Sequence, residues 1–210
     1  MILNKEHPAL IAVTGGIGSG KSEVLSALKE NGYSVVSCDK VAAALYKNAA
    51  FKRALKKAFP SAVKGFIFLK VNKAEIAENA FFDDEGYQKL IETVTLPVYA
   101  RALKEAKKLK GPVFVEVPLL FECEKQGDFD RVIVVMREKE ARAESVEKRS
   151  GLKKSEIAAR MARQADYDSM DLSMLRVIYN DGDISELKDS AVKLAAALSK
   201  ELEAQRRGGE

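Results

Sequence analysis

A chain of 210 residues, 47% hydrophobic and 31% charged, suits one α/β domain with subdomains, or at most two small domains, and is long enough to bury about 70% of its unfolded surface. A net charge of +4 does not indicate a nucleic-acid partner, and it suits an anionic small molecule or a plain solvated surface. Two distant cysteines (Cys38, Cys123) and one histidine (His7) exclude a zinc centre and fit a reducing, cytoplasmic setting; no run nears about 18 apolar residues and Met1–Pro8 lacks a signal-peptide pattern, so no membrane partner is expected.

The first element is an apolar run from Ala9 to Val13, read as a strand, which ends in Thr14-Gly15-Gly16-Ile17-Gly18-Ser19-Gly20-Lys21-Ser22. From Gly15 to Ser22 the spacing is G-x-x-x-x-G-K-S, the phosphate-binding loop. Glycines let the backbone wrap a phosphate with its N–H groups turned inward, and the helix that follows adds its positive end. The residues expected to hold the nucleotide are Gly16, Ile17, Gly18, Ser19, Gly20, Lys21, Ser22 and Glu23. Lys21 would neutralise β- and γ-phosphate charge, and the Ser22 hydroxyl would coordinate Mg²⁺. An amphipathic helix from Glu23 ends near Asn31-Gly32.

A second strand, Tyr33–Cys38, is expected near the first and ends at Asp39, with a helix following from near Val41. Phe51, Leu55 and Phe59 share one stripe of the next helix. Residues 60–72 read as a hairpin-like or extended segment, and Asn72 caps a helix from Lys73. A helical pattern spans 86–110, where Pro97 either kinks it or starts a second helix. Strands follow at Val113–Val117, Arg131–Met136 and Leu175–Tyr179, with helices near 138–149, 154–165 and 184–205; the tail from Arg206 is expected to fray. The expected fold is a three-layer α/β/α phosphate-loop domain with a five-stranded parallel sheet. Its core comprises residues 1–59, 111–139 and 171–210, with a helical acceptor insertion at 60–110 and a lid at 140–170.

Ligands of such sheets bind at the carboxyl ends of the strands. Asp39 stands there, able to take a proton from an attacking hydroxyl, to hold a metal-bound water, or merely to cap a helix. Glu116 is a charge in an apolar strand; it acts on Mg²⁺ through water or contacts the acceptor, unless the strand is an edge facing solvent. From Arg142 to Arg163 there are seven Lys or Arg against three Glu, and Arg142 and Arg149, seven apart, share a helical face. Guanidinium groups on a lid would stabilise the transition-state charge, while Glu144 and Lys148 read as an ordinary i,i+4 surface pair. Asn180-Asp181-Gly182 either passes the adenine ring or is a simple turn capped by Asp183 or Ser185.

Taken together the chain resembles the dephospho-coenzyme A kinase family over about residues 9–200. The resemblance rests on the loop, on Asp39 at the end of an Asp-x-Asp segment where Ser37 replaces the first acid, and on Asn72-Lys73 to Phe81. It rests further on Val117-Pro118-Leu119-Leu120-Phe121-Glu122, on Arg149-Ser150-Gly151-Leu152 with Arg160 and Gln164, and on Ile178–Gly182. It implies ATP-dependent phosphorylation of the ribose 3′-hydroxyl of dephospho-CoA, with Mg²⁺, by a cytoplasmic monomer. Asp39 is then the general base, Lys21 and Arg149 the catalytic cations, and Asn180 part of the nucleotide site. Asp39, Lys73, Glu116, Pro118, Leu119, Leu120 and Arg142 make up the substrate site. Four departures stand out: Leu96-Pro97 for His-Pro, Ala43 and Lys73 for arginines, and Met174-Leu175 for Ala-Asp. Three of them fall on the acceptor side. The competing readings are a kinase for another hydroxyl acceptor such as a nucleoside or nucleotide, and a homologue that binds nucleotide without kinase activity. A nucleotide-dependent switch is disfavoured, since no Asn-Lys-x-Asp guanine signature occurs.

Overall fold

The computed structural model describes residues 8–66 and 68–207. His7, the leader reading and the last three residues of the expected frayed end lie outside the described residues. The strands are β1 (Leu10–Thr14), β2 (Ser34–Ser37), β3 (Val63–Lys64), β4 (Lys70–Val71), β5 (Val113–Glu116), β6 (Arg131–Met136) and β7 (Arg176–Tyr179). Five of them form one parallel sheet in the order β2-β5-β1-β6-β7, and β3 and β4 pair as a separate antiparallel hairpin. The expected five-stranded sheet is therefore present. β2 lies near β1, one strand away, because β5 runs between them and pairs with both.

The alternation along β1 builds the two outer layers. Ile11 and Val13 face α1 (Lys21–Glu30) and the long α9 (Ile184–Arg207), where they pack with Val24, Leu28, Leu187, Leu198 and Leu202. Leu10 and Ala12 face α2 (Cys38–Leu45) and α6 (Leu96–Ala106), with Val41, Val98, Tyr99 and Ala102. All five residues of β1 are buried, as in a parallel strand covered on both faces. Each large side chain so buried contributes on the order of 1.5–3 kcal/mol.

A third cluster joins Phe51, Leu55 and Phe59 to Ala62, Val63 and Ile76. It binds α3 (Ala49–Ala58), the hairpin and α4 (Lys73–Phe82) into one unit. By packing, α3 thus goes with the insertion that follows it, while α6, inside the 60–110 range, lies on the sheet. Asn72 accepts from the Glu75 N–H and caps α4 as expected. Between α5 (Asp84–Leu90) and α6 the chain makes a π-helical turn over Ile91–Thr95. Pro97 then falls in the first turn of α6, directly after the π-helical turn, and the helix does not break there. Among the described residues, no helix is long and apolar enough to cross a membrane.

Candidate active site

The glycine-rich turn leaves β1 and is held from several directions. Gly20 has φ +102 at the N-cap of α1, and a Cβ there would sit 2.4 Å from the Asn180 amide nitrogen. That amide donates to the Ser19 carbonyl at 2.8 Å. Asn180, which follows β7, therefore braces the loop rather than serving only as a turn. The Ile17 N–H donates to Gln164 Oε1 at 2.7 Å. Lys21 Nζ donates to the carbonyls of Gly15 and Gly16 at 2.7 and 2.9 Å, which lays its chain across the loop. Ser22 and Glu23 stand exposed in the first turn of α1, where helix N–H groups have no intrahelical acceptors. A bound anion would meet those groups and the positive helix end.

The sheet register brings the carboxylates to this loop. Glu116 is paired in register with Val13 on one side and Ser37 on the other. Its strand lies inside the sheet, so the edge-strand reading falls. Glu116 is 4% exposed, and the Ser37 hydroxyl donates to it at 2.5 Å. Burial raises its pKa, the Ser37 hydrogen bond opposes that, and the neighbouring Asp39 charge adds to it. Helix α2 begins at Cys38, three residues before the expected start, with Ser37 as its N-cap. Asp39 is thus an exposed residue of the first turn and not the cap. Ser is as good an N-cap as Asp, so Ser37 is the signal that was overlooked.

Lys21 is where these charges meet. Burial lowers its pKa to about 8, against the upward pull of Glu116 and Asp39, and the Arg149 charge presses it down further. Ser22, Asp39 and Glu116 offer hard oxygen donors, which suit Mg²⁺ shared with phosphate oxygens. Among the described residues no group of three or more His, Cys, Asp or Glu could hold a metal by itself.

Beside Asp39 opens an apolar cavity of about 170 Å³, walled by Ala42, Val98, Tyr99, Pro118 and Leu119 among others. Leu119 has φ 58, a left-handed conformation that costs a side-chain-bearing residue roughly 1–2 kcal/mol and is commonest at functional sites. Leu120, two residues past Pro118, is fully buried in the core and does not line the cavity. Cys38, also on the wall, has its thiol pushed up to about 12 by burial and the adjacent carboxylates. Lys73 lies apart from this wall, with Nζ 4.2 Å from the centre of the Tyr46 ring.

The two lid arginines part company. In α7 (Lys139–Ser150), Arg142 is 6% exposed and ion-paired with Asp168 at 3.2 Å, with its Nε buried and unpartnered. A Cβ on Gly16 would lie 2.1 Å from Arg142 Nη1, so that glycine makes room for a guanidinium. Arg149, two turns on, is exposed. Seven residues put both on one side, but the first half of α7 packs on the loop while its end projects into solvent. Glu144 and Lys148 form the expected surface pair at 3.6 Å. Beyond α8 (Lys154–Ala162), the Ala165 N–H donates to Glu122 Oε1 at 2.8 Å, and the Tyr167 hydroxyl lies 3.4 Å from Thr14 Oγ1. Sequence reasoning passed over Ser37, Tyr167 and Asp168. The first could be read as a cap, whereas nothing local marks the other two.

Known proteins resemble this chain along most of its length. The family model CoaE, dephospho-CoA kinase, matches residues 9–186. A dephospho-CoA kinase of Thermus thermophilus is 35% identical over 196 residues, covering 92% of this chain and 94% of its own. One from Deinococcus radiodurans is 34% identical over 187 residues, covering 87% and 88%. The crystal structure of TT1252 from Thermus thermophilus superposes with a TM-score of 0.75 at 33% identity, over 91% of this chain and 98% of that one. With a family model matched over most of its length and relatives at 34–35% identity, the chain belongs to the dephospho-CoA kinase family.

Proposed function

We propose that this chain transfers the γ-phosphoryl group of ATP to the ribose 3′-hydroxyl of dephospho-CoA, yielding CoA and ADP in the cytoplasm. The observation that carries the reading is the phosphate loop and Asp39 at the carboxyl ends of β1 and β2, the two strands that flank β5, with the apolar cavity opening beside Asp39. ATP lies with its phosphates on the N–H groups of residues 16–22. Asp39, exposed and unencumbered by a capping role, accepts the proton as the 3′-oxygen attacks the γ-phosphorus. The new O–P bond forms as the bond from that phosphorus to the β,γ-bridging oxygen breaks, and ADP leaves. Lys21 and Arg149 offset the charge spread over the equatorial oxygens. Mg²⁺ would be held by Ser22, with Glu116 or Asp39 through water, and would neutralise phosphate charge.

Residues 140–170 serve as the lid over the donor site, and the 60–110 insertion, with Lys73, meets the acceptor. Pro118 and Leu119 shape the acceptor wall, Leu120 anchors it from the core, and Arg142 acts through the loop it packs on. Release of ADP measured with a panel of hydroxyl acceptors tests the assignment. Turnover is expected with dephospho-CoA and not with nucleosides or nucleotides, and the reverse preference would sink it.

A further inference from the structure

Charge in this molecule is unevenly spread. Between Lys47 and Lys70 the chain carries seven Lys or Arg and no Asp or Glu, against a net charge of +4 for the whole sequence. The rest of the protein is therefore net acidic. Helix α3 turns Phe51 and Leu55 into the third core cluster, which leaves Lys52, Arg53, Lys56 and Lys57 on its outer side. Lys56 Nζ donates to the Gly65 carbonyl at 2.5 Å, so this basic side lies against the turn of the β3–β4 hairpin. Lys64 and Lys70 face each other across that hairpin. Past Gly65, whose φ of +100 makes the turn, Phe66 and Phe68 are 94% and 85% exposed. A scattered exposed apolar residue needs no explanation, but two phenylalanines at one turn inside a basic ring do.

We propose that α3 and the hairpin tip form a docking surface for an anionic lipid membrane. Aromatic side chains favour the membrane–water interface, and lysines beside them are drawn to acidic headgroups. Neither signal holds alone, whereas an apolar insertion combined with a basic patch gives reversible surface binding. A contact of this kind lies on the bilayer and needs no spanning helix. The composition favours lipid over nucleic acid. Six of the seven cations are lysines, point charges suited to a diffuse headgroup field, where phosphate-specific recognition would favour the arginine fork. The phenylalanines stand on a hairpin turn and have no polar handle for a base edge. None of these side chains lines the cavity beside Asp39.

Co-sedimentation of the full chain with vesicles tests this directly. Partition onto phosphatidylcholine–phosphatidylglycerol vesicles is expected to exceed that onto phosphatidylcholine alone at least tenfold, and to collapse in molar salt. The Phe66→Ser/Phe68→Ser double variant should lose at least tenfold of that partition while keeping the wild-type far-UV circular dichroism and melting temperature. Equal partition on the two vesicle types, a double variant that binds like wild type, or displacement from the vesicles by a duplex oligonucleotide at matched charge would each overturn the proposal.

Discussion

The phosphate loop and the wall of the acceptor cavity meet at Asp39, and they are built on opposite terms. The loop is polar and fixed from outside itself: Asn180 from the end of β7, Gln164 from beyond α8, Lys21 from α1 and Arg142 from α7 all bear on residues 15–20. The cavity wall is apolar, shaped by packing and by one left-handed leucine. The triphosphate is the same for every kinase of this architecture and rewards a rigid set of donors fixed in advance. An acceptor is chosen by shape, which side-chain exchange can adjust with little harm to the fold. Of the departures from the family pattern, Ala43 and Leu96 stand next in sequence to the wall residues Ala42 and Thr95 without lining the cavity themselves, and Lys73 lies apart from it.

Disrupting the loop should do the most damage. Lys21→Ala is expected to lower kcat by roughly 10³-fold or more, with the far-UV circular dichroism and melting temperature unchanged. Appreciable residual turnover in a folded Lys21→Ala protein would remove the lysine from its assigned role. Next comes Asp39→Asn, which should cost about 10²–10⁴-fold in kcat while leaving ATP affinity within a small factor. Calorimetric titration with ATP separates the two outcomes, because a parallel loss of nucleotide binding would put Asp39 on the donor side.

A milder perturbation is pH. Lys21 releases its proton near 8 in the folded chain, against 10.5 when unperturbed. A triphosphate favours the ammonium form, so ATP affinity is full below about 8 and falls as pH rises through that value. Lys21→Arg, which stays charged, should flatten the profile even where it binds more weakly. Folding stability responds with the opposite sign. Between 8 and 10.5 the unfolded chain binds a proton that the folded chain does not, so the burial cost of Lys21 is relieved as pH climbs. The smallest effect is expected from Lys73→Arg, which restores a fork of donors at the start of α4. It should change KM for dephospho-CoA by a few-fold and leave KM for ATP alone. An equal effect on both would erase the division between the two sides.

The parts of this molecule that local physics determines were legible in the sequence. The G-x-x-x-x-G-K-S spacing, the five apolar runs and the Asn72 cap each state their geometry within a few residues. What could not be read there depends on partners far along the chain. That β5 separates β1 from β2 is a fact of sheet assembly, and it alone tells whether Glu116 is buried or on an edge. The seven-residue spacing of Arg142 and Arg149 is real, yet only the packing of α7 on Gly16 and Gly18 shows that one is enclosed and the other free. Leu120 looks like its neighbour Leu119 until the backbone turn at 119 sends the two opposite ways, one to the cavity and one to the core.

The central claim is that the fixed donor loop and Asp39 act together on one hydroxyl of one acceptor. Incubation of the purified chain with ATP, Mg²⁺ and dephospho-CoA, followed by ³¹P nuclear magnetic resonance of the product, addresses it most directly. The account predicts a new monoester phosphate on the ribose 3′-oxygen, formed in step with ADP and absent with the Asp39→Asn variant. ADP formed without that monoester, or a phosphate attached at another position, would contradict it.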